Sequence, residues 1–261
     1  FSRDKRPYMT DFIVAIPARF ASTRLPGKPL SLIGGKPMIQ HVAERALAAG
    51  AKQVVIATDD ERIARAIDIK AVQVVMTSVH HQSGTDRLAE CADRLAWTDG
   101  QIVVNLQGDE PFAPAAGIRQ VAELLSASAS PMATLSRPIT EEQEFTDTNA
   151  VKVVRSIDGN ALYFSRAPIP WPRDHVHPFS ALAQRHIGIY AYRAAFLKQF
   201  SRLPASSLER CEALEQLRAL ENGFSIAVAE SLAAFPAGVD TPEDLERANL
   251  HWLNMQTGTT A

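Results

Sequence analysis

Apolar residues recur along the chain in short β-branched runs, separated by stretches with helical spacing. Phe12 to Ile16, with Ile13, Val14 and Ile16, predicts a buried strand. From Met38 to Ala49 the apolar positions Ile39, Val42, Ala43, Ala46 and Leu47 fall on one helical face, and Gly50 closes the segment. Gln53 to Thr58 predicts a second strand, a helix follows through Ile63, Ala64 and Ile67, and Val72 to Met76 predicts a third strand. A helix through Leu88, Cys91 and Leu95 leads to a fourth strand at Ile102 to Leu106, the most apolar of the set. Strands alternating with helices at this pitch predict an α/β fold with a mostly parallel sheet and ligands at the carboxyl ends of its strands.

The second half has a different texture. A helix is predicted through Ile118, Val121, Leu124 and Leu125, then a strand at Pro131 to Ser136 and an acidic, solvated segment at Glu141 to Glu144. Val151 to Val154 and Ala161 to Phe164 flank the turn residues Asp158, Gly159 and Asn160, a hairpin pattern. Residues 165–173 hold too many prolines for regular structure, and the loop is expected to run to Ala183. Gln184 to Tyr192 predicts a strand with His186 and Tyr190 on one face. Helices are expected at Ala194 to Phe200 and Ser207 to Leu220, the second with Leu208, Leu214 and Leu217 in the core. A last strand at Phe224 to Ala229 and a helix after Gly238 complete the chain. This organisation predicts an N-terminal extension (1–11) and one domain (12–255), with 149–192 as an inserted hairpin subregion.

The 261 residues are 46% hydrophobic and 21% charged, with formal net charge −2. That balance gives no electrostatic case for nucleic-acid or membrane partners. No apolar run is long enough to span a bilayer, and the opening residues lack the apolar core of a signal peptide. Cys91 and Cys211 lie far apart in helix-like segments, which predicts two buried thiols in a reducing, cytoplasmic compartment.

Against this neutral background, residues 17–29 form a local concentration of positive charge. Pro26, Gly27 and Pro29 exclude a helix, and the loop carries Arg19, Arg24 and Lys28 with Ser22 and Thr23 but no acid. Such a loop after a core strand suits a triphosphate, although a solvated basic loop has the same composition. Ser83, Gly84 and Thr85 offer hydroxyls and backbone N–H groups at a helix start beside Arg87, which favours a base or phosphate edge, although a plain helix cap with an incidental Arg reads the same way. His80 and His81 suggest metal weakly, because adjacent loop residues seldom ligate together. Gln107 to Pro111 follows the fourth strand, and Asp109 is the better metal ligand there, with Glu110 beside a proline read as a hinge. Helix capping alone explains residues 240–244, but Asp240 remains a candidate because a metal site over phosphates needs a second carboxylate. Glu215 and Gln216 are either solvated helix residues or contacts to a second substrate.

Taken in order, residues 17–19, 22–29, 83–87, 107–111, 165–170, 186–190, 214–218 and 238–242 resemble the 3-deoxy-manno-octulosonate (Kdo) cytidylyltransferase family. The resemblance runs from about Phe12 to Leu245. Residues 17–29 alone point only to sugar nucleotidyltransferases at large, and Arg166, His186, Glu215 and Gln216 make it specific. Departures are an extra N-terminal segment, Lys70-Ala71 for the usual Gly-Ala, and Leu106 for Val. The resemblance implies a Rossmann-like nucleotide-diphospho-sugar transferase fold, Mg²⁺ as cofactor, a homodimer, and transfer of CMP from CTP to Kdo for lipopolysaccharide biosynthesis. It further implies catalytic roles for Arg19, Lys28, Asp109 and Asp240, with Asp109 and Asp240 as the metal ligands. Arg19, Ser22, Lys28, Ser83, Arg87 and Gln107 would contact the nucleotide. Arg166 would pair with the Kdo carboxylate, and His186, Tyr190, Glu215 and Gln216 would hold its hydroxyls. Transfer to another acidic sugar and a non-catalytic nucleotide-binding module are the competing readings.

Overall fold

The apolar runs pair into a sheet of nine strands in the computed structural model, which describes residues 10–173 and 182–257. In chain order come β1 (Phe12–Ala18), a 3₁₀ turn (Lys28–Leu30), the small hairpin of β2 (Leu32–Ile33) and β3 (Lys36–Pro37), and α1 (Met38–Ala48). Then follow β4 (Gln53–Thr58), α2 (Glu61–Arg65), β5 (Val72–Met76), α3 (Gly84–Arg94), β6 (Ile102–Asn105) and α4 (Ala115–Ala127). The second half holds β7 (Met132–Pro138), α5 (Glu142–Thr146), β8 (Lys152–Arg155), β9 (Ala161–Ser165), β10 (Gln184–Arg193) and α6 (Ala194–Phe200). It closes with α7 (Ser207–Glu212), α8 (Leu217–Glu221), β11 (Ile226–Glu230) and α9 (Pro242–Thr257).

The strand order is β11-β7-β10-β6-β1-β4-β5. β1 runs parallel to both β4 and β6, and β4 to β5, as the βαβ spacing predicts. β10 enters antiparallel between β6 and β7. Its first residues therefore lie beside the carboxyl ends of β6 and β7, where the loops that carry the polar chemistry also emerge. β8 pairs with β10 and β9, so the hairpin subregion extends the same sheet.

β1 is enclosed on both faces. Phe12, Ile13, Val14 and Ile16 are each at most 2% exposed, and each such side chain contributes roughly 1.5–3 kcal/mol by burial. One apolar layer packs α1 and α4 against one face, and the other packs α3 and α6 against the opposite face. This rigid platform fixes the loops at its carboxyl edge.

Four expectations need correction. The helix expected over 207–220 is α7 and α8, broken where Ala213 adopts φ 51°, ψ 49°. Leu208 is consequently exposed, whereas Leu214 and Leu217 are in the core as expected. The segment near Glu141 is not simply solvated, because α5 turns Glu144 toward Arg137 and Arg185. Cys91 is buried but Cys211 is exposed, because α7 presents no buried face.

Candidate active site

The loop after β1 is held by local packing. Gly27 sits at φ 67°, a left-handed conformation that suits a residue without Cβ. Phe20 lies against it, and the Arg62 guanidinium stacks 3.5 Å from the Phe20 ring. Arg62 is oriented by Asp60, which accepts from its Nε at 2.9 Å and Nη2 at 2.7 Å. The loop thus presents Arg19, Ser22 and Lys28 along one wall of a cleft of about 260 Å³.

Two acid-bearing loops meet this wall. Lys28 Nζ donates to Asp109 Oδ2 at 2.6 Å and to Asp240 Oδ1 at 2.9 Å, and Arg24 Nη2 lies 3.1 Å from the other Asp240 oxygen. Burial opposes the Lys28 charge, but the two carboxylates outweigh it and raise its pKa. The Val239 N–H donates to the Asp109 carbonyl at 2.9 Å, tying the loop before α9 to the loop after β6. Gly108 permits this convergence, since a Cβ there would meet the Pro17 carbonyl oxygen at 2.9 Å. Asp240 is spared from capping α9. Thr241 and Asp244 cap it reciprocally, with Asp244 N donating to Thr241 Oγ1 at 3.2 Å and Thr241 N to Asp244 Oδ2 at 2.9 Å. Glu110 is more than a hinge. It lines the neighbouring cleft, and burial together with Asp109 and Asp240 pushes its carboxyl up to about 8, against the pull of Lys28.

Ser83, Gly84, Arg87 and Gln107 also line the first cleft. Ser83 caps α3 by accepting from Asp86 N at 3.1 Å. Arg87 is only 3% exposed, and its guanidinium donates to Asp59 Oδ2 at 2.7 Å and to Thr77. Gln107 Nε2 donates to Asn105 at 3.2 Å. His81 pairs with Glu90 at 2.5 Å while His80 lies at the surface. Among the described residues no group of three or more His, Cys, Asp or Glu converges on a metal position.

A second cleft of about 460 Å³ shares Gln107, Asp109 and Asp240 with the first. Its far side carries His186, Arg137 and Arg185. His186 packs edge-on against Phe164 and tilted against Tyr190, and its Nε2 lies 3.1 Å from Thr134 Oγ1. Burial, with a smaller push from Arg185, lowers its pKa to about 3, so the ring is neutral near pH 7. Behind His186 lies a polar group on the α3 side of the sheet. Tyr190 Oη, Glu215 Oε1 and Gln216 Nε2 are buried and make no hydrogen bond. Buried polar atoms are ordinarily paired, so three orphans drawn from neighbouring positions point to a ligand rich in hydroxyl groups.

Arg166 lines neither cleft. Its Nε donates to the Glu212 carbonyl at 2.6 Å, Nη1 to Thr148 O at 3.0 Å and Nη2 to Ala213 O at 3.4 Å. It therefore braces the backbone turn that delivers Glu215 and Gln216. Sequence reasoning missed Arg137, Arg185 and Asp59, for which residue type and spacing carry no signal. It also passed over the orientation of Thr85 toward Glu215, a contact spanning 130 positions.

The family model for cytidylyltransferases matches residues 13–228. A 3-deoxy-manno-octulosonate cytidylyltransferase of Xanthomonas campestris pv. campestris (strain B100) is 61% identical over 244 residues, covering 91% of this chain and 87% of that protein. One of Stenotrophomonas maltophilia (strain K279a) is 57% identical over 247 residues, covering 92% and 96%. The solved structure of a CMP:2-keto-3-deoxy-manno-octonic acid synthetase complexed with CTP matches with TM-score 0.86 at 43% identity. That match covers 94% of this chain and 99% of the other.

Proposed function

Because the chain belongs to the cytidylyltransferase family, we infer that it transfers CMP from CTP to Kdo, releasing pyrophosphate and CMP-Kdo. It is a nucleotidyltransferase, and its product is the activated form of Kdo used in lipopolysaccharide biosynthesis. The observation that carries the reading is the convergence of Asp109 and Asp240 on one cationic position where two clefts join. The test is pyrophosphate release with CTP, Mg²⁺ and a panel of Kdo, amino-Kdo and a sialic acid. Turnover is expected with Kdo and CTP. Release with the sialic acid alone would reassign the substrate, and none with any acid would leave only nucleotide binding.

Arg19, Ser22 and Lys28 serve the triphosphate, and Ser83, Arg87 and Gln107 the cytidine or its phosphate, a reading supported by their sharing one cleft. His186, Tyr190, Glu215 and Gln216 then serve the Kdo hydroxyls, which the unpartnered atoms support. Arg166 was expected on the Kdo carboxylate, and its contacts support an action through the turn at Glu212 and Ala213. The anomeric hydroxyl of Kdo attacks the α-phosphorus in line with the departing pyrophosphate. The new bond is sugar oxygen to phosphorus, and the bond lost is the α–β bridge. Little covalent chemistry falls to the protein in such a transfer, whose demands are positioning and charge neutralisation. Lys28 and Arg19 neutralise the leaving group.

Mg²⁺ is the cofactor this reading requires. Asp109 and Asp240, whose carboxylates lie 2.6 and 2.9 Å from one ammonium, are a hard-oxygen pair that would hold it. When bound, it supplies charge neutralisation at the phosphates. A homodimer is proposed with the same reading. Ile157 and Leu182 are exposed along one groove beside β8, and Leu162 of β9 is exposed too, apolar surface that a second copy would cover. Sedimentation at two concentrations tests this, and a monomer at both would remove it. A cytoplasmic location is proposed because CTP is drawn from the cytoplasmic nucleotide pool, and cell fractionation tests it.

A further inference from the structure

Glu215 stands apart from the other candidate residues in how it is held. Its Oε2 accepts from Thr85 Oγ1 at 2.8 Å, with Ser83 close to the same carboxylate. Its Oε1 is buried and bonded to nothing, with the nearest cation, Arg218, 3.9 Å away. Thr85 is 2% exposed, so its hydroxyl has no water to satisfy it. The Tyr192 hydroxyl meets the same threonine, and Tyr192 stacks on Tyr190 with ring centroids 5.9 Å apart. Thr85 therefore joins Glu215 to the aromatic wall that includes His186 and Tyr190. Ser83 and Gly84, immediately before it, line the nucleotide cleft.

A half-buried carboxylate with one oxygen tethered and the other enclosed without a hydrogen bond is aimed in one direction. Leaving its tether unmade would cost the full desolvation of the group, so the tether fixes the rotamer. The neighbouring Gln216 is 6% exposed and leaves Nε2 unpaired beside it. One bare acceptor and one bare donor on adjacent residues suit a ligand that offers several hydroxyls.

We propose that Thr85 is a positioning residue for the acceptor substrate: it holds Glu215 so that Oε1 faces a sugar hydroxyl, and the first turn of α3 thereby serves both substrates. The proposal rests on the reading of Glu215 as a Kdo contact, and the experiment separates the two. Steady-state pyrophosphate release is measured for Thr85→Val, Thr85→Ser, Glu215→Gln, Glu215→Ala and the double variant Thr85→Val/Glu215→Ala. Thr85→Val is expected to raise the KM for Kdo tenfold or more with the KM for CTP within twofold. Thr85→Ser, which keeps the hydroxyl, should restore the Kdo KM to within threefold of the parent. The double variant should match Glu215→Ala alone, because alanine leaves nothing for the threonine to hold. Should Thr85→Val not fold, Thr85→Ala, which adds no volume, carries the same comparison. A normal Kdo KM in both Glu215→Gln and Thr85→Val overturns the sugar-site reading. A raised KM in Glu215→Gln beside a normal one in Thr85→Val overturns the positioning role alone. Equal rises for CTP and Kdo in Thr85→Val also overturn it, as does a double variant showing the product of the two single effects.

Discussion

Lys28 holds together two acids that would otherwise repel each other. Asp109→Asn keeps the shape and the hydrogen bond but removes the charge, so it should abolish most turnover while the fold persists. Pyrophosphate release in saturating Mg²⁺, alongside a far-ultraviolet spectrum, checks this, and near-parental turnover would remove Asp109 from the metal site. His186 makes a different prediction. Its folded pKa is lowered to about 3 from the ordinary 6.5. The folded state therefore binds fewer protons, and stability present above pH 6.5 is lost as pH falls toward 3. The loss should reach on the order of 2 kcal/mol by pH 4, allowing for the partial exposure of the residue. His186→Gln cannot titrate and should lose less stability over that interval, as urea midpoints at pH 7 and pH 4 would show. Equal losses would mean that the ring is solvated.

At the scale of elements, the turn between α7 and α8 decides where Glu215 and Gln216 point. Leucine spacing alone makes residues 207–220 one helix, because periodicity sees only which face is apolar. The break at Ala213 has no glycine to announce it. Its left-handed backbone, which costs a non-glycine residue about 1–2 kcal/mol, is held by the Arg166 donor to its carbonyl and by burial of Leu214. Ala213→Gly should preserve or raise stability by up to about 1 kcal/mol. Ala213→Val should lower it by at least as much and raise the KM for Kdo more than that for CTP. Thermal melts with paired KM values test this, and an unchanged melt for Ala213→Val would show that the turn is not strained. Arg166→Ala should likewise raise the Kdo KM selectively. Equal effects on both substrates would detach Arg166 from the acceptor side.

Over the whole molecule, the parallel half of the sheet was legible because β1, β4, β5 and β6 are predominantly apolar, β-branched runs at βαβ spacing, and the basic and acidic loops follow two of them. The meeting of those loops was less so. Asp240 lies 131 positions beyond Asp109, and a helix cap explains its neighbourhood equally well. Only the folded chain shows that Thr241 does the capping and that Asp240 faces Lys28. The orientation of β10 was likewise hidden, since alternation reveals a strand but not its direction. Because β10 runs antiparallel, it brings His186 beside Gln107 rather than leaving it at the opposite edge.

The contact between Thr85 and Glu215 also bears on how such an enzyme can be remade. On the proposed reading, the sheet invites a division into a β1–β6 portion for the nucleotide and a β7–α9 portion for the acceptor, which suggests grafting one acceptor half onto another donor half. That seam cuts a hydrogen bond between the buried Thr85 and the half-buried Glu215 on opposite sides of it. A chimaera joined there inherits a carboxylate shaped for one threonine and a helix start shaped for another acid. Residues 83–85 should therefore travel with the acceptor half, although they sit in the donor half by sequence and by fold.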